Sequence, residues 1–380
     1  MYRRFALPEI SPSMAMHHVW AKHHVLPGFS ATCCRFVAQR LFGLHAARLP
    51  TPYVTLRARI PGFREESLRE ELRQNRRLIK LRCMRRTLHI LPLDLAAVAH
   101  RATLPFRLAD CRRQLRKAAG EPEQADALRR WIKQAVRMAP RSSRELERQA
   151  PAVIGGTPER TVPLVRAVIR EMWERGQLCL IDDADHWSRE RRRYGWTADL
   201  YRSLRLNDMS REEAVKRLVS GYLERYGPVT EGDLAWWSGL GLTEIRTALR
   251  DLKDSWTEVQ IKGSPRPHLM LKEDLCRMMD LRLPSEPWVT LLAYEDPTLK
   301  GTKESRFLYV DPVHFPRLFN AIGEARASIV ESGRVIGVWE PDRKARKIRW
   351  ETFGRTQKRV DSMIREEVRN MERFLFGGSS

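Results

Sequence analysis

The region between residues 210 and 261 constrains the fold most, because helix signals recur there in a fixed order and a strand follows them. Ser210 and Glu213 have the spacing of a capping box, in which two side chains and the backbone cap a helix start reciprocally. Apolar residues then recur at helical spacing as far as Tyr226, which predicts an amphipathic helix. A Gly-Pro pair follows and ends this helix.

Two shorter helices and a strand complete the same region. Thr230 is placed to cap the second helix and Thr243 to cap the third, on which Arg246 and Arg250 face outward. The alternating apolar and polar run 256–261 predicts a strand. Three short helices followed by a strand is the order of a winged helix, whose third helix can enter the major groove of DNA.

A second copy of this order occurs earlier in the chain. A predicted helix over residues 125–138 is followed by Ser142 and Glu145, again at capping-box spacing. Pro158 then stands in the first turn of a longer helix, where its missing N–H is not needed. Residues 177–181 predict a strand, so this region also reads as a winged helix.

The first third of the chain is compatible with a third copy. Ser30 is expected to cap a helix that Gly43 ends. The stretch 57–86 contains 11 basic and 4 acidic residues. It combines an expected helix at 65–75 with a strand-like stretch at 78–90.

The chain changes character after about residue 284. The runs 289–292 and 328–339 are rich in β-forming residues, and Gly333 marks a turn or bulge between strands. Apolar residues at helical spacing over 360–371 predict a closing helix. We expect a separate β domain here.

Charge indicates the class of partner. The chain has 69 Lys and Arg against 47 Asp and Glu, a formal net charge of +22, and a pI near 10.3. Such a surface attracts polyanions, and phosphate neutralisation by Lys and Arg makes binding salt-dependent. The alternative is that the charges only solvate the surface. We predict duplex DNA contacts by a wing, by the third helix of the best-defined copy and by the β domain, at Arg189, Arg191, Arg192, Arg193, Arg246, Arg250, Arg334, Arg343 and Lys344.

Several other classes of protein are not expected. No apolar run approaches the roughly 18–20 residues of a membrane span, and the N-terminus has no secretory pattern, so we expect a cytoplasmic, nucleoid-associated protein. The six cysteines are scattered and are expected to be reduced. Phosphate-binding glycine loops and zinc-finger spacings are absent from the sequence. Four histidines at 17, 18, 23 and 24 split across helix faces, so no metal and no cofactor is expected.

Four segments in a fixed order resemble the winged-helix DNA glycosylases of the AlkZ type, which excise alkylated bases and unhook interstrand crosslinks. CMRRTLHILP at 83–92 is similar to the family's MRGTLHLVP, and GYLERYGPVTEGDLAWWSGL at 221–240 to YGPxTxxDxxxWxG. LLAYEDPTLKGTKESRFL at 291–308 resembles LLPxFDPYVLGxxxR, and ESGRVIGVWE at 331–340 resembles VDGRVVGxW. The resemblance implies a mainly α fold with β: tandem winged helices at 15–120, 121–207 and 208–283, and a β-barrel-like domain with a closing helix at 284–380.

The sequence departs from the family at the position that carries the chemistry. GLHAAR at 43–48 stands where the family has GLQAQD, so His45 and Ala47 replace two polar side chains. Neutral histidine can accept a hydrogen bond from water and act as a general base, and the resemblance therefore implies a catalytic role for His45. The alternative from position alone is a histidine at a helix C-terminus, bonded to the last carbonyls.

The resemblance also suggests which residues line the lesion cleft. Arg85, Arg86, Thr87 and His89 belong to a matched segment and are expected near His45. The alternative for His89 is a strand residue that satisfies a neighbouring backbone group. Asp296 is expected to form a buried ion pair with Arg306.

Two functions follow from the sequence, and they belong to different classes. The first is a monofunctional DNA glycosylase that hydrolyses the N-glycosidic bond of alkylated purines or unhooks crosslinks. The second is a non-catalytic DNA-binding protein, a regulator or a damage-recognition paralogue, for which the loss of the family's polar pair is the main argument. An RNA-binding or partner-docking protein is a third possibility that no residue favours.

Overall fold

The computed structural model describes residues 7–118, 121–184 and 186–377, which form two compact units. The terminal unit comprises the chain up to Arg64 and from Val219 onward, and the middle unit comprises Glu65–Leu218. The helices are α1 (Pro12–Lys22), α2 (Cys34–Arg40), α3 (Thr51–Arg57), α4 (Glu65–Arg73), α5 (Leu93–Lys117), α6 (Pro122–Met138), α7 (Ser143–Gln149), α8 (Pro151–Ile154), α9 (Pro158–Glu174), α10 (Thr197–Leu200), α11 (Arg211–Tyr226), α12 (Glu231–Ser238), α13 (Leu242–Asp251), α14 (Lys272–Met279), α15 (Pro297–Lys300), α16 (Phe315–Leu318) and α17 (Lys358–Phe376).

The strands fall in both units beside the helices, so the prediction that the chain combines α and β structure is confirmed. Their bounds are β1 (Glu9–Ile10), β2 (Leu44–His45), β3 (Leu78–Arg82), β4 (Leu88–Pro92), β5 (Leu178–Asp182), β6 (Arg192–Trp196), β7 (Trp256–Ile261), β8 (His268–Leu271), β9 (Val289–Leu292), β10 (Ser328–Glu331), β11 (Arg334–Asp342) and β12 (Lys347–Thr352).

In the middle unit, the predicted helices α6, α7 and α9 and a two-stranded hairpin follow one another in the expected order, with the short helix α8 between α7 and α9. The Ser142–Glu145 capping box is present at the start of α7. Leu128 of α6 and Val165 and Met172 of α9 pack into one apolar core, which also takes in Leu178 of β5. The antiparallel pair β5–β6 closes this core.

The second such order, α11 to α13 followed by β7 and β8, lies in the terminal unit from Val219 in the middle of α11 onward. Thr230 caps α12 reciprocally with Asp233, as predicted. The N-terminal strand β1 pairs in parallel with β7, so the sheet order is β1-β7-β8. Trp20 of α1 is buried in the same core, and its indole N–H donates to the Gly333 carbonyl at 2.9 Å.

Two predicted helix caps are wrong. Helix α2 begins after Cys33, which makes no side-chain cap, so Ser30 lies outside it. Helix α13 begins one residue before Thr243, and Gly241 is its N-cap. The physical reason is that the Glu244 carboxylate accepts the Gly241 N–H at 3.1 Å and completes the first turn there.

The C-terminal strands form an open sheet, which corrects the expectation of a barrel. The four antiparallel strands have the order β12-β11-β10-β9, so β12 and β9 lie at opposite edges, and the described strands do not close into a barrel. Helix α17 covers one face through Ile364, Val368 and Met371, which pack with Trp339 of β11. Covering the apolar face with a helix makes closure unnecessary.

Cysteine burial agrees with the expectation of reduced thiols. All six are free; Cys33 and Cys276 are exposed and the other four are buried. Burial raises the pKa of Cys83 to about 12 and that of Cys179 to about 11, so these thiols stay protonated and unreactive.

None of the helices that the structure describes has the length and apolarity to cross a bilayer.

A fully buried ion pair joins the N-terminal and C-terminal segments of the terminal unit. Both oxygens of the Asp296 carboxylate accept hydrogen bonds from Arg59, at 2.9 and 2.8 Å, and neither side chain is exposed. The prediction that Asp296 pairs with Arg306 is wrong. Its guanidinium donates instead to the carbonyls of Thr302 and Gly323 and lies 3.7 Å from the centre of the Phe319 ring.

Replacing Arg59 with leucine leaves the Asp296 carboxylate buried without a counter-charge. We expect the free energy of unfolding to fall by about 3–5 kcal/mol, measured by urea denaturation of the full chain. Arg246→Leu, at the exposed pair with Glu231, is the matched control and should change it by about 1 kcal/mol or less. A similar small effect of Arg59→Leu would contradict a stabilising role for the buried pair.

Candidate functional site

His45 lies in the short strand β2, immediately after a tight turn. Helix α2 ends at Arg40, and Gly43 then adopts a left-handed conformation with φ 101° while its N–H donates to the Ala38 carbonyl at 2.7 Å. The turn carries the chain away from the helix, so the alternative of a helix C-terminal histidine is wrong. The imidazole is buried, and His45 is 3% exposed.

A buried carboxylate lies beside the imidazole. His45 Nε2 is 3.9 Å from Glu295 Oε2, and the Glu295 side chain is 1% exposed. Lys300 forms an ion pair with the same carboxylate oxygen. The other oxygen, Oε1, accepts the backbone N–H of Ala325 at 2.7 Å. His45 therefore faces a carboxylate that is held in place from two sides and whose charge a lysine balances.

The backbone at Glu295 is held in an uncommon conformation. Its φ is 57°, in the left-handed region that non-glycine residues rarely adopt. The Glu295 N–H donates to the Ala325 carbonyl at 2.8 Å, in addition to the side-chain bond in the opposite direction. Strained backbone of this kind persists only where surrounding contacts over-determine it, as they do here.

Two further residues of the N-terminal segment contact the same stretch. The Thr51 hydroxyl donates to the Tyr294 carbonyl at 2.8 Å. The Arg48 guanidinium carbon lies 3.8 Å from the centre of the Tyr294 ring, and Nη2 donates to the phenol oxygen at 3.1 Å. Burial and a hydrogen bond to Glu324 raise the pKa of Tyr294 to about 12, so the phenol stays neutral. Residues 294–296, which we call the YED segment, are thus each held by a side chain from residues 45–59.

Sequence reasoning missed Glu295 and Lys300. One signal was available: the family pattern quoted above has Phe where this chain has Glu295, so a charged residue replaces an apolar one. The contacts of Arg48 and Arg59 join residues 246 and 237 positions apart, and a single sequence carries no signal for such pairs.

The two positions of the predicted motif differ in accessibility. His45 is buried, whereas Ala47, two residues later, is exposed and brings no polar group to the site. Any water chemistry at this segment therefore depends on His45 and on the groups that contact it.

The other cleft candidates lie together in the middle unit, at the turn between β3 and β4. Arg85 and Arg86 both have positive φ, 49° and 59°. Arg86 pairs with Asp110 at 2.5 Å, and the Thr87 hydroxyl donates to the Met84 carbonyl. Their placement in a lesion cleft with His45 stays a prediction.

His89 of β4 is buried and close to local partners. Its Nδ1 lies 3.3 Å from the Thr87 carbonyl oxygen and 3.5 Å from Cys83 Sγ. These contacts match the alternative in which the histidine satisfies a neighbouring backbone group.

The basic run at 189–196 includes strand β6 as well as the residues just before it in the β5–β6 hairpin. Arg192 and Arg193 belong to strand β6, whereas Arg189 and Arg191 precede it. Arg193 pairs with Asp183 at 2.9 Å and Arg192 with Glu190 at 2.7 Å. Arg189, Arg191 and Arg192 are exposed.

The remaining DNA-contact candidates are in the terminal unit. Arg246 pairs with Glu231 at 2.9 Å, and Arg250 donates to the Thr247 hydroxyl at 3.1 Å; both arginines are exposed on α13. Arg343 and Lys344 are exposed in the turn between β11 and β12.

The DNA contact of Arg334 stays a prediction, and in the structure its side chain is hydrogen-bonded to the protein backbone. Arg334 follows the turn at Gly333, and its guanidinium donates to the carbonyls of Phe307 and Leu308, both at 3.0 Å. These two bonds direct the guanidinium toward the protein backbone.

The histidines near the N-terminus have structural contacts. His18 lies 3.6 Å from Asp274, and His23 Nδ1 lies 2.9 Å from the Thr298 hydroxyl. Desolvation by burial lowers the pKa of both imidazoles. Within the described ranges, no three His, Cys, Asp or Glu side chains group as metal ligands.

Three comparisons relate the chain to known proteins. The family model described as DNA glycosylase AlkZ-like matches residues 38–374. An interstrand DNA cross-link repair glycosylase from Streptomyces sahachiroi is 30% identical over 132 residues, 34% of this chain. The matched part also spans 34%, about a third, of that relative. The structure of Streptomyces sahachiroi DNA glycosylase AlkZ has a TM-score of 0.75, with 21% identity over 94% of this chain and 95% of that one, so the two share a fold.

Replacing Glu295 tests how the His45 site is held. Glu295→Ala removes the acceptor for the Ala325 N–H and leaves Lys300, with a side chain 10% exposed, without this counter-charge. We expect the free energy of unfolding to fall by about 3–5 kcal/mol in urea denaturation.

A double variant separates the charge from the packing. Glu295→Met combined with Lys300→Met removes both charges at similar volume and should recover most of the loss. Glu351→Ala, at exposed ion pairs with Arg317 and Arg326, is the control and should change the free energy by about 1 kcal/mol or less. An equal loss in the double variant would show that the ion pair is not the cause.

Proposed function

The chain belongs to the AlkZ-like DNA glycosylase family, and we propose that it is a monofunctional glycosylase that hydrolyses the N-glycosidic bond of alkylated purines in duplex DNA. Family membership confirms the resemblance found in the sequence. The observation that carries the proposal is the buried contact of His45 with Glu295, at the position where the family has its polar pair.

Hydrolysis of this bond does not require a strong general acid from the protein. A purine alkylated on a ring nitrogen is already cationic and leaves without a strong proton donor. The sugar passes through an oxocarbenium-like transition state, so the protein must position a water and tolerate positive charge.

We infer that neutral His45 accepts a hydrogen bond from the attacking water and takes its proton as the oxygen bonds to the sugar carbon. The electron pair of the broken glycosidic bond leaves with the base and neutralises its charge. The Glu295 carboxylate, 3.9 Å from Nε2, then stabilises the imidazolium that forms. Lys300 balances this carboxylate beforehand, which lets it stay ionised while buried.

The relative from Streptomyces sahachiroi is named for interstrand cross-link repair, and crosslinks are a second substrate class for this proposal. A crosslink joined through ring nitrogens of two purines carries the same cationic leaving group at each end. The same water and the same histidine would therefore serve both substrates. Chromosomal DNA as substrate implies a nucleoid location in the cytoplasm.

DNA is proposed to be gripped through its phosphates. The helix-then-strand orders of α6–β6 and α11–β8, together with the N-terminal region, support tandem winged helices at 15–120, 121–207 and 208–283. Exposed cations available to phosphates lie on the β5–β6 hairpin and on the C-terminal sheet. They are Arg189, Arg191 and Arg192 on the hairpin and Arg343 and Lys344 on the sheet.

One observation favours the second function. His45 is 3% exposed in the protein without DNA. A buried imidazole cannot act as a general base on a damaged nucleotide that does not reach it. A non-catalytic DNA-binding protein needs no such access. Base release decides between the two functions.

The catalytic assay uses a duplex carrying one 7-methylguanine and measures free base and abasic sites. We expect His45→Ala to lower the single-turnover rate by about 100-fold or more, because general-base catalysis contributes about 10²–10⁴. His45→Gln should retain more activity, since an amide can position water. Both variants should bind the duplex with unchanged affinity. Base loss equal to the protein-free rate in the wild type would instead establish the non-catalytic function.

Salt dependence tests the phosphate grip separately. Raising salt from about 50 to 200 mM should weaken duplex binding by about 10³-fold or more if six or more phosphates are neutralised. Replacing both Arg191 and Arg192 with alanine should reduce the slope of log affinity against log salt by about 2. Arg365→Ala, an exposed arginine of α17 paired with Asp361, is the control and should leave the slope unchanged. Affinity that does not depend on salt would count against the grip.

A further inference from the structure

A tight turn between Phe319 and Ala325 presents one large apolar side chain to solvent. These two residues form an antiparallel β-bridge, and Ile322 at the tip is 68% exposed. Burying an isoleucine side chain is worth about 1.5–3 kcal/mol, so a partner that covers this tip gains that contribution.

The turn is braced from several directions. The Asn320 side-chain oxygen accepts the N–H groups of Ile322 and Glu324, at 3.2 and 2.9 Å. The Gly323 N–H donates to the Asn320 carbonyl at 2.8 Å, and Arg306 donates to the Gly323 carbonyl at 2.9 Å. Ile322 is therefore held on a pre-ordered backbone, and inserting it into a partner requires little further ordering.

The same turn is hydrogen-bonded to the His45 site. The Tyr294 hydroxyl donates a hydrogen bond to the Glu324 carboxylate at 2.5 Å, and the Ala325 N–H donates to Glu295 at 2.7 Å. Glu295 is the carboxylate next to His45. Two consecutive residues of the turn thus bond two consecutive residues of the YED segment, and the position of Ile322 is fixed relative to the imidazole.

Cations flank the turn. Arg48 is exposed and lies over the Tyr294 ring, and Lys303 is exposed with its ammonium 5.3 Å from the centre of the Trp236 ring. The Trp236 ring in turn lies directly against Gly323. An apolar tip between cations fits a partner that has anionic backbones on both sides of a stack of flat apolar rings, which is duplex DNA.

We propose that Ile322 is a wedge that enters the base stack of duplex DNA next to the damaged nucleotide and holds it open for the His45 site. The inference rests on the proposed function and adds a positioning residue to it. A wedge needs one rigid side chain, whereas a protein-docking patch needs several hundred Å² of contiguous apolar surface. Ile322 is flanked in the turn by Ala321 and Gly323, which offer no such area.

The test measures unstacking without turnover. The duplex carries 7-methylguanine on a 2′-fluorinated sugar, which resists base loss, with the fluorescent base 2-aminopurine beside it. Unstacking raises the fluorescence of 2-aminopurine. Wild-type protein at saturation should raise it, and Ile322→Ala should reduce that rise by about threefold or more while affinity changes less. Ile322→Phe, which keeps a large apolar side chain, should retain the signal.

Val313→Ala is the matched control, because Val313 is 71% exposed in the same unit and makes no contact with the turn or the YED segment in the contacts described above. It should behave as the wild type. An unchanged signal in Ile322→Ala, an equal loss in Val313→Ala, or a bound wild type that does not unstack the base would each overturn the wedge. Unstacking by a protein that releases no base from ordinary 7-methylguanine duplex would keep the wedge and reject the glycosylase.

Discussion

The buried ion pair between Arg59 and Asp296 is the constraint on which the rest of the site depends. Asp296 is fixed by two guanidinium bonds, and its carboxylate also caps α15 by accepting the Thr298 N–H at 3.1 Å. Its neighbour Glu295 lies opposite His45. The desolvated pair therefore ties the segment that carries Arg59 to the segment that carries Glu295.

Charge balance within this cluster is local. Each buried carboxylate of the YED segment has its own cation: Arg59 for Asp296 and Lys300 for Glu295. The carboxylate next to the His45 imidazole is thus already paired with a lysine.

Local patterns were predicted well and long-range ones were not. The caps at Ser142 and Thr230 and the strand at 256–261 follow from neighbours within a few residues, and all are confirmed. Thr243 was placed wrongly as a cap because Glu244 completes the first turn one residue earlier. The Arg306 pairing and the barrel depend on which distant segments meet, and charge and β-propensity alone do not determine that. Glu295 was missed for the same reason, since its importance comes from His45, 250 positions away.

The terminal unit is discontinuous in the chain, and this has a consequence for biosynthesis. Arg59 leaves the ribosome 237 residues before Asp296. At about 5–20 residues per second, the first 64 residues wait roughly 10–50 s for the strands and side chains that complete their core. The middle unit, whose residues are contiguous, can fold during that interval. The nascent N-terminal segment, with its arginines and apolar helix faces still uncovered, is thus the part of the newborn protein most exposed to chaperones and to premature contact with RNA.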